Sequence, residues 1–416
     1  MKVFKFGGAS VKDADGVKNL VRVLKETGYN DTFLVVSAMG KTTNAMENVV
    51  EAYFENKSKI ASALQEVIGY HEAILFDLFE NKNHPVYSQV KTLFDEVKGF
   101  LAWNKSPKYA FVYDQVVGYG ELVSTTIVSA YLSEMGIPNI WKDIRDLIKT
   151  DNSYRDAKVN WERTQQAVTD NVDVTKLNIS QGFLGSDDNN FTTTLGREGS
   201  DYSAAILAFC LNAKSVTIWK DVPGVLNADP RNFDETQLLD YISYREAIEL
   251  AFYGASVIHP KTLQPLQRKD IPLHVKSFIN PVGEGTTVGK GNGIAPLVPC
   301  FIVKKDQVLI KLSSLDFSFI VENNISEIFK LFHDHRMKVD LIQNSAISFS
   351  VCLDNKFGGL DAMLQELKRK FKVVCHEDVS LYTIRHFNDD AVKSLQNGRT
   401  VLVEQRGRET VQLVVK

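Results

Sequence analysis

Cysteine is scarce in this chain of 416 residues, and the four present, Cys210, Cys300, Cys352 and Cys375, are scattered with no C-x-x-C pair. That spacing favours buried thiols in a reducing compartment over a disulfide framework or a structural zinc site. No apolar run is long enough for a membrane. The longest, such as "IAPLVPCFIV", reach about ten residues, against the roughly 20 that a spanning helix needs. Charge of one sign is missing too. Forty-eight Lys and Arg against 51 Asp and Glu leave a formal net charge of −3, with no basic footprint for nucleic acid. The N-terminus lacks a charged segment followed by an apolar core, so a secretory leader is not expected. These absences predict a cytoplasmic protein with neither membrane nor nucleic acid as partner. A length of 416 residues predicts two or three domains.

The pattern that is present opens with "MKVFKFGGAS". A strand-like alternation carrying Lys5 ends in Gly7 and Gly8. Glycines let another molecule approach the main chain, and free amides at such a turn suit an anion. "DGVKNLVRVLKE" follows as a helix and "TFLVVSAM" as a strand buried on both faces, the order of a parallel βαβ unit. From about 45 to 112 the pattern is helical. β-rich order returns with "IPNIWKD", "KLNISQGFLG" and "SVTIWKDVPGV". The glycine-rich "GKGNGIAP" reads as a linker. We therefore expect an α/β domain over 1–293 with a helical insertion at about 45–112.

The remainder, 299–416, has another texture. Strand, helix, strand pair, helix and strand succeed one another over about 307–377, the βαββαβ order of a ferredoxin-like unit. A shortened second pass covers about 378–416 and is completed by a strand at 299–304.

Four glycine- or hydroxyl-rich stretches of the first domain follow strands: "KFGGAS", "VVSAMGKTTN", "TTTLGREGSDYSAAILAFCL" with its helix expected from Ser200, and "IWKDVPGVLNADPR". A fifth, "GYGELVST", opens a helix with Glu121. In open α/β sheets ligands bind beyond the carboxyl ends of the strands, so these loops predict one large anionic ligand. None matches the P-loop pattern. Taken singly, Ser200 and Asp201 are also explained as helix caps, Glu121 as a first-turn acid, Arg197 as a surface side chain and "ADPR" as a turn.

In combination and order, these stretches resemble the aspartate kinases of the amino-acid-kinase fold. "KFGGAS", "SAMGKTTN", "GELVS", "TTTLGREGSDYSA" and "WKDVPGVLNADPR" are similar to that family's motifs, and the tail resembles its paired ACT regulatory units. The resemblance implies a three-layer sandwich (carbamate-kinase-like) around a mainly parallel sheet, with C-terminal α+β ferredoxin-like ACT units. It implies transfer of the ATP γ-phosphoryl group to the β-carboxylate of L-aspartate, giving 4-phospho-L-aspartate and ADP with Mg²⁺ as cofactor, the first step towards lysine, threonine and methionine. Lys5 and Asp201 would be catalytic. Ser37, Thr43, Glu121, Phe183, Arg197 and Ser200 would bind aspartate, with Arg197 on its α-carboxylate and Glu121 on its ammonium. Gly7, Gly8, Lys220, Asp221, Arg231 and Lys261 would serve the nucleotide. No residue is expected as a dedicated metal ligand. Asp340 and Ser345 match positions that an amino-acid effector such as lysine or threonine would use, while the loop "SSLDFSFIVENN" lacks the family's glycine, which Asn323 or Asn324 would replace. Ala9, Glu198, Lys220 and Ser256 depart from the family pattern, and Lys220 or Lys261 is expected to replace a family lysine missing at Ser256. The expected assembly is a homodimer held partly by residues after Pro299, with weak or absent end-product inhibition. The rival readings are another amino-acid kinase of this fold and a non-catalytic amino-acid sensor.

Overall fold

The computed structural model describes residues 1–255, 258–316 and 318–416; Ser256 lies outside them. The chain runs through β1 (Lys2–Phe6), β2 (Thr32–Val36), β3 (Ile140–Lys142), β4 (Asn178–Gln181), a ribbon of β5 (Leu184–Ser186) and β6 (Thr192–Thr194), and β7 (Val216–Lys220). A second ribbon, β8 (Val225–Leu226) and β9 (Leu238–Leu239), precedes β10 (Tyr241–Ser243), β11 (Leu273–Ser277), β12 (Thr286–Gly289) and β13 (Ile294–Ala295). Nine of these strands form one sheet in the order β13-β10-β12-β11-β7-β1-β2-β4-β3. Pairing is parallel from β3 across to β11 and antiparallel between β11 and β12. The glycine-rich stretch expected as a linker thus ends in a strand, because Ser243 N donates to Gly293 O at 2.8 Å and draws β13 onto the sheet edge.

All five residues of β2, "TFLVV", are buried. A strand covered on both faces has no polar side to show, which is why its run is continuous rather than alternating. Each large apolar side chain so buried stabilises the fold by about 1.5–3 kcal/mol. The helix Gly199–Leu211 is likewise apolar around most of its surface and is buried along its length, as a helix at the centre of a domain must be. The helical insertion consists of Thr42–Glu55, Ile60–Leu78, Pro85–Trp103 and Tyr109–Val117. Its Val49, Leu64, Val67, Val97 and Val112 share one core with Phe4, Leu34 and Val36 of the sheet, so the insertion is part of the domain and not an appendage.

The compact units are not continuous in sequence. The first comprises Met1–Val225, Leu238–Ile248 and Ile258–Ile294; the second adds Leu226–Gln237 and Glu249–Val257 to Ala295–Lys416. Hydrogen bonds explain why 226–237 groups with the tail: Phe301 N donates to Asn227 O at 2.8 Å and Asn227 Nδ2 to Pro299 O at 2.9 Å. The Phe233 ring lies 5.4 Å from that of Phe301.

The second unit is built on one six-stranded sheet of β14 (Cys300–Ser314), β15 (Lys338–Asn344), β16 (Ser348–Asp354), β17 (Phe371–Arg385), β18 (Val401–Arg406) and β19 (Thr410–Val415), in the order β15-β16-β14-β17-β19-β18. β14 and β17 are long enough to serve two units each. The 307–314 half of β14 lies between β16 and β17, while its 300–304 half pairs only with β17, and a bulge separates the halves. Pairing of Cys300–Lys304 with 381–385 supplies an edge strand for the abbreviated second repeat.

Candidate active site

The carboxyl ends of β1, β2 and β4 open onto one cavity of the first unit, ≈ 430 Å³ in volume. Its walls include Lys5, Ser37, Thr43, Glu121, Phe183, Arg197, Ser200 and Asp201, so all eight residues expected to serve catalysis or the amino acid meet there.

Three loops and one helix hold them. Ser37 N donates to Phe6 O at 3.0 Å and Gly40 N to Gly8 O at 3.0 Å, which lashes the loop after β2 to the loop after β1. A Cβ on Gly8 would come within 2.8 Å of both Ala38 O and Gly40 O. Glycine at position 8 is therefore required by the neighbouring loop's main chain, a demand the phosphate argument did not include. A Cβ on Gly7 would meet only Lys5 Nζ, at 3.3 Å, and this glycine keeps the space before the ammonium clear. Ser124 Oγ donates to Ser37 O at 2.7 Å. Phe183 stands in the left-handed region at φ 69°, and Ser203 Oγ fixes it by accepting from its amide at 2.9 Å. The helix expected from Ser200 begins at Gly199, preceded by Glu198 at φ 54°. That angle accounts for the departure noted at Glu198, since glycine occupies the left-handed region without strain.

Lys5 Nζ lies 2.6 Å from Asp201 Oδ1, both side chains nearly buried. A buried ion pair needs good geometry to offset desolvation; this one aims an ammonium at the cavity. Glu121, 3% exposed, is strongly perturbed. Burial pushes its carboxyl from 4.5 up to about 8, opposed by the amides of Glu121 itself and Ala38 and by the Lys5 charge. Its Oε2 has no hydrogen-bond partner. Buried polar atoms are normally paired, so an orphan facing a cavity points to a donor brought by a ligand.

The residues expected around the nucleotide are less gathered. Gly8 lines the cavity. Lys220 ends β7 one residue beyond Trp219, which registers with Phe6, so its backbone is level with Gly7. Asp221 follows it and is exposed. Lys261 is ion-paired with Asp156. Arg231 belongs to the second unit and is paired with Asp229 at 2.6 Å. In that unit Asn324 caps the helix Glu322–Asp334 by accepting from Val321 N at 3.0 Å, and Ser345 Oγ is 2.7 Å from Ser348 Oγ. Asp340 pairs with Lys304 at 2.7 Å and Lys338 at 3.6 Å.

Motif reasoning missed Tyr113 and Arg155 in the cavity wall. Tyr113 had a signal: with Tyr109 it forms an i,i+4 pair on one helix face. Arg155 had none, lying in the polar stretch "NSYRDAK".

The amino acid kinase family matches residues 1–277. The chain belongs to that family. It is 30% identical over 415 residues to "Lysine-sensitive aspartokinase 3" of Escherichia coli (strain K12), covering 96% of this chain and 89% of that one, which places it among the aspartokinases. It is 29% identical over 386 residues to the "Bifunctional aspartokinase/homoserine dehydrogenase 2, chloroplastic" of Arabidopsis thaliana, spanning 42% of that protein's length. The structure of E. coli aspartokinase III in complex with aspartate and ADP superposes with a TM-score of 0.80 at 27% identity, covering 100% of this chain and 96% of that one.

Proposed function

We infer that the chain is an aspartate kinase, transferring the γ-phosphoryl group of ATP to the β-carboxylate of L-aspartate. The observation that carries this reading is the buried Glu121 carboxyl with its unpartnered Oε2, set in one cavity with Arg197 and the Lys5–Asp201 pair. Those groups complement an amino acid: an acid for the ammonium, a planar guanidinium fork for a carboxylate, and an ammonium for the charge on a transferring phosphoryl group.

The nucleophile is already an ionised carboxylate, so no general base is required. What remains is in-line positioning and stabilisation of charge on the equatorial oxygens. Lys5, fixed by Asp201, does this without reorganising during the reaction. An arriving ammonium lowers the carboxyl pKa of Glu121 and ionises it, so the acid is charged only when its partner is present. The open space before Gly7 admits the phosphates. Lys220, level with Gly7, and Lys261, paired with Asp156, are the two candidates to stand in for the lysine missing at Ser256. Arg231 and Asp221 remain nucleotide-side candidates. Mg²⁺, when bound with ATP, supplies further neutralisation; it commonly rides on substrate phosphates with few protein ligands.

The reading extends to a cytoplasmic homodimer held partly by residues after Pro299. Inhibition by lysine or threonine is weak or absent, since Asp340 is already satisfied by Lys304 and Lys338. No helix among the described residues is long and apolar enough to cross a membrane. The test is incubation with ATP, Mg²⁺ and L-aspartate, trapping the acyl phosphate with hydroxylamine. Aspartate-dependent hydroxamate supports the reading. Product with glutamate or carbamate instead would favour another kinase of the fold, and no product with any acceptor would favour a sensor.

A further inference from the structure

Arg155 lines the cavity, yet the mechanism above gives it no task. It sits in a loop, 151–158, closed at its base by Asp151 N donating to Lys158 O and Lys158 N to Asp151 Oδ1, each at 2.9 Å. Every neighbour of Arg155 is tied down. Tyr154 Oη donates to Asp187 Oδ2 at 3.0 Å, Asp156 is paired with Lys261, and Ala157 N donates to Thr194 O at 2.9 Å. The Arg155 amide donates to both oxygens of Asp114, at 3.2 and 3.0 Å. Asp114 is fully buried and also accepts from Thr194 N and Oγ1, each at 2.8 Å.

This clamp holds Arg155 at φ 71°, a region costly for a residue with a Cβ and free for glycine. Strain retained at a cavity wall points to a side chain that is wanted there. The guanidinium lies 4.4 Å from the centroid of the Tyr113 ring, 5.5 Å from that of Tyr109, and 3.5 Å from Glu47 Oε1. Its carbon stem and plane are thus braced by rings, while half of the side chain is exposed.

Charge bookkeeping suggests its purpose. Among the described residues lining the cavity the cations are Lys5, Arg155 and Arg197. Lys5 is shared with Asp201 and faces the phosphoryl group, while the half-exposed Arg155 is paired with Glu47 at 3.5 Å, a surface pair worth little that leaves other guanidinium N–H groups for a ligand. Aspartate brings two carboxylates and one ammonium. Glu121 answers the ammonium and Arg197 one carboxylate.

We propose that Arg155 is a specificity residue that meets the second carboxylate of the bound amino acid, so that a pre-positioned pair of arginines selects a dicarboxylic substrate. The proposal rests on the aspartokinase reading. It is tested by steady-state kinetics and thermal unfolding of the full chain as wild type, Arg155→Gly and Arg155→Ala. Both variants should raise the KM for aspartate roughly tenfold or more, as expected for loss of a hydrogen bond between charged groups, and leave the KM for ATP unchanged. Arg155→Gly should also raise Tm by relieving the left-handed backbone, whereas Arg155→Ala, which keeps a Cβ, should not. An unchanged aspartate KM in both variants, or an equal rise for ATP, would overturn the proposal, as would a fall in Tm of Arg155→Gly with aspartate KM unaltered. Absence of aspartate turnover in the wild type would instead overturn the aspartokinase reading on which it depends.

Discussion

Glu121 and Asp340 both have carboxyl side chains nearly out of reach of water, but the two units treat them in opposite ways. Glu121 is left with an unpartnered oxygen and a carboxyl pushed up to about 8. Asp340, with a side chain 6% exposed, holds the ammonium of Lys304 at 2.7 Å. Burying an unpaired charge is expensive, and proteins avoid it by neutralising the group or supplying a partner. The kinase unit does the first and leaves Glu121 Oε2 open to an incoming donor. The second unit does the second, with Lys304 and Lys338 as the partners.

The comparison can be broken at several points. The largest effect belongs to Lys5→Ala, which should lower kcat at least ~10²-fold, the scale of removing one preorganised electrostatic donor. A normal kcat with only a raised KM for ATP would deny Lys5 its role. Arg197→Ala should raise the aspartate KM roughly tenfold or more with little change for ATP; the reverse pattern would mean the pockets are exchanged.

Lys304→Met leaves Asp340 with only the more distant Lys338 and should cost about 3 kcal/mol in denaturant unfolding. No loss would mean the pair is not a structural substitute for a ligand. Cooperative inhibition of the wild type by submillimolar lysine or threonine would equally break the contrast drawn at Asp340. Glu198→Gly should raise Tm slightly, because relief of roughly 1–2 kcal/mol of left-handed strain outweighs the roughly 0.5–1 kcal/mol entropic cost of glycine; a loss would show that the Glu198 side chain supports the helix start it precedes.

Much of the fold was legible because its signals are local. Continuous apolar runs such as "TFLVV" marked strands buried on both faces, and glycine loops after them marked the ligand end of the sheet. Helices with a period near 3.6 outlined the βαββαβ tail. The residues that meet in the cavity were legible for the same reason: Lys5, Ser37, Thr43, Glu121, Phe183, Arg197, Ser200 and Asp201 lie in short dense motifs. What was hidden depends on long-range pairing. Nothing local says that 226–237 will bond to Pro299 and Phe301, or that a glycine-rich stretch will end as the edge strand β13. Arg155 was hidden because its importance comes from a backbone angle and from Asp114, 41 positions away, neither of which leaves a trace in composition. Ser256, where a family lysine is missing, lies outside the described residues.

The acid in the kinase unit also makes a statement about pH. Its pKa is higher folded than unfolded, so the unfolded chain loses this proton first, and the stability of the ligand-free protein falls as pH rises from about 4.5 towards about 8, then flattens. Glu121→Gln should remove that slope and weaken aspartate binding. Ligand binding reads the same group from the other side. Titrating the wild type with L-aspartate at pH 7 in two buffers of different ionisation enthalpy measures the protons exchanged on binding. If Glu121 is protonated when empty and ionised by the incoming ammonium, most of one proton should be released, and Glu121→Gln should release none. Binding with no dependence on the buffer, or the same release in the variant, would contradict the account.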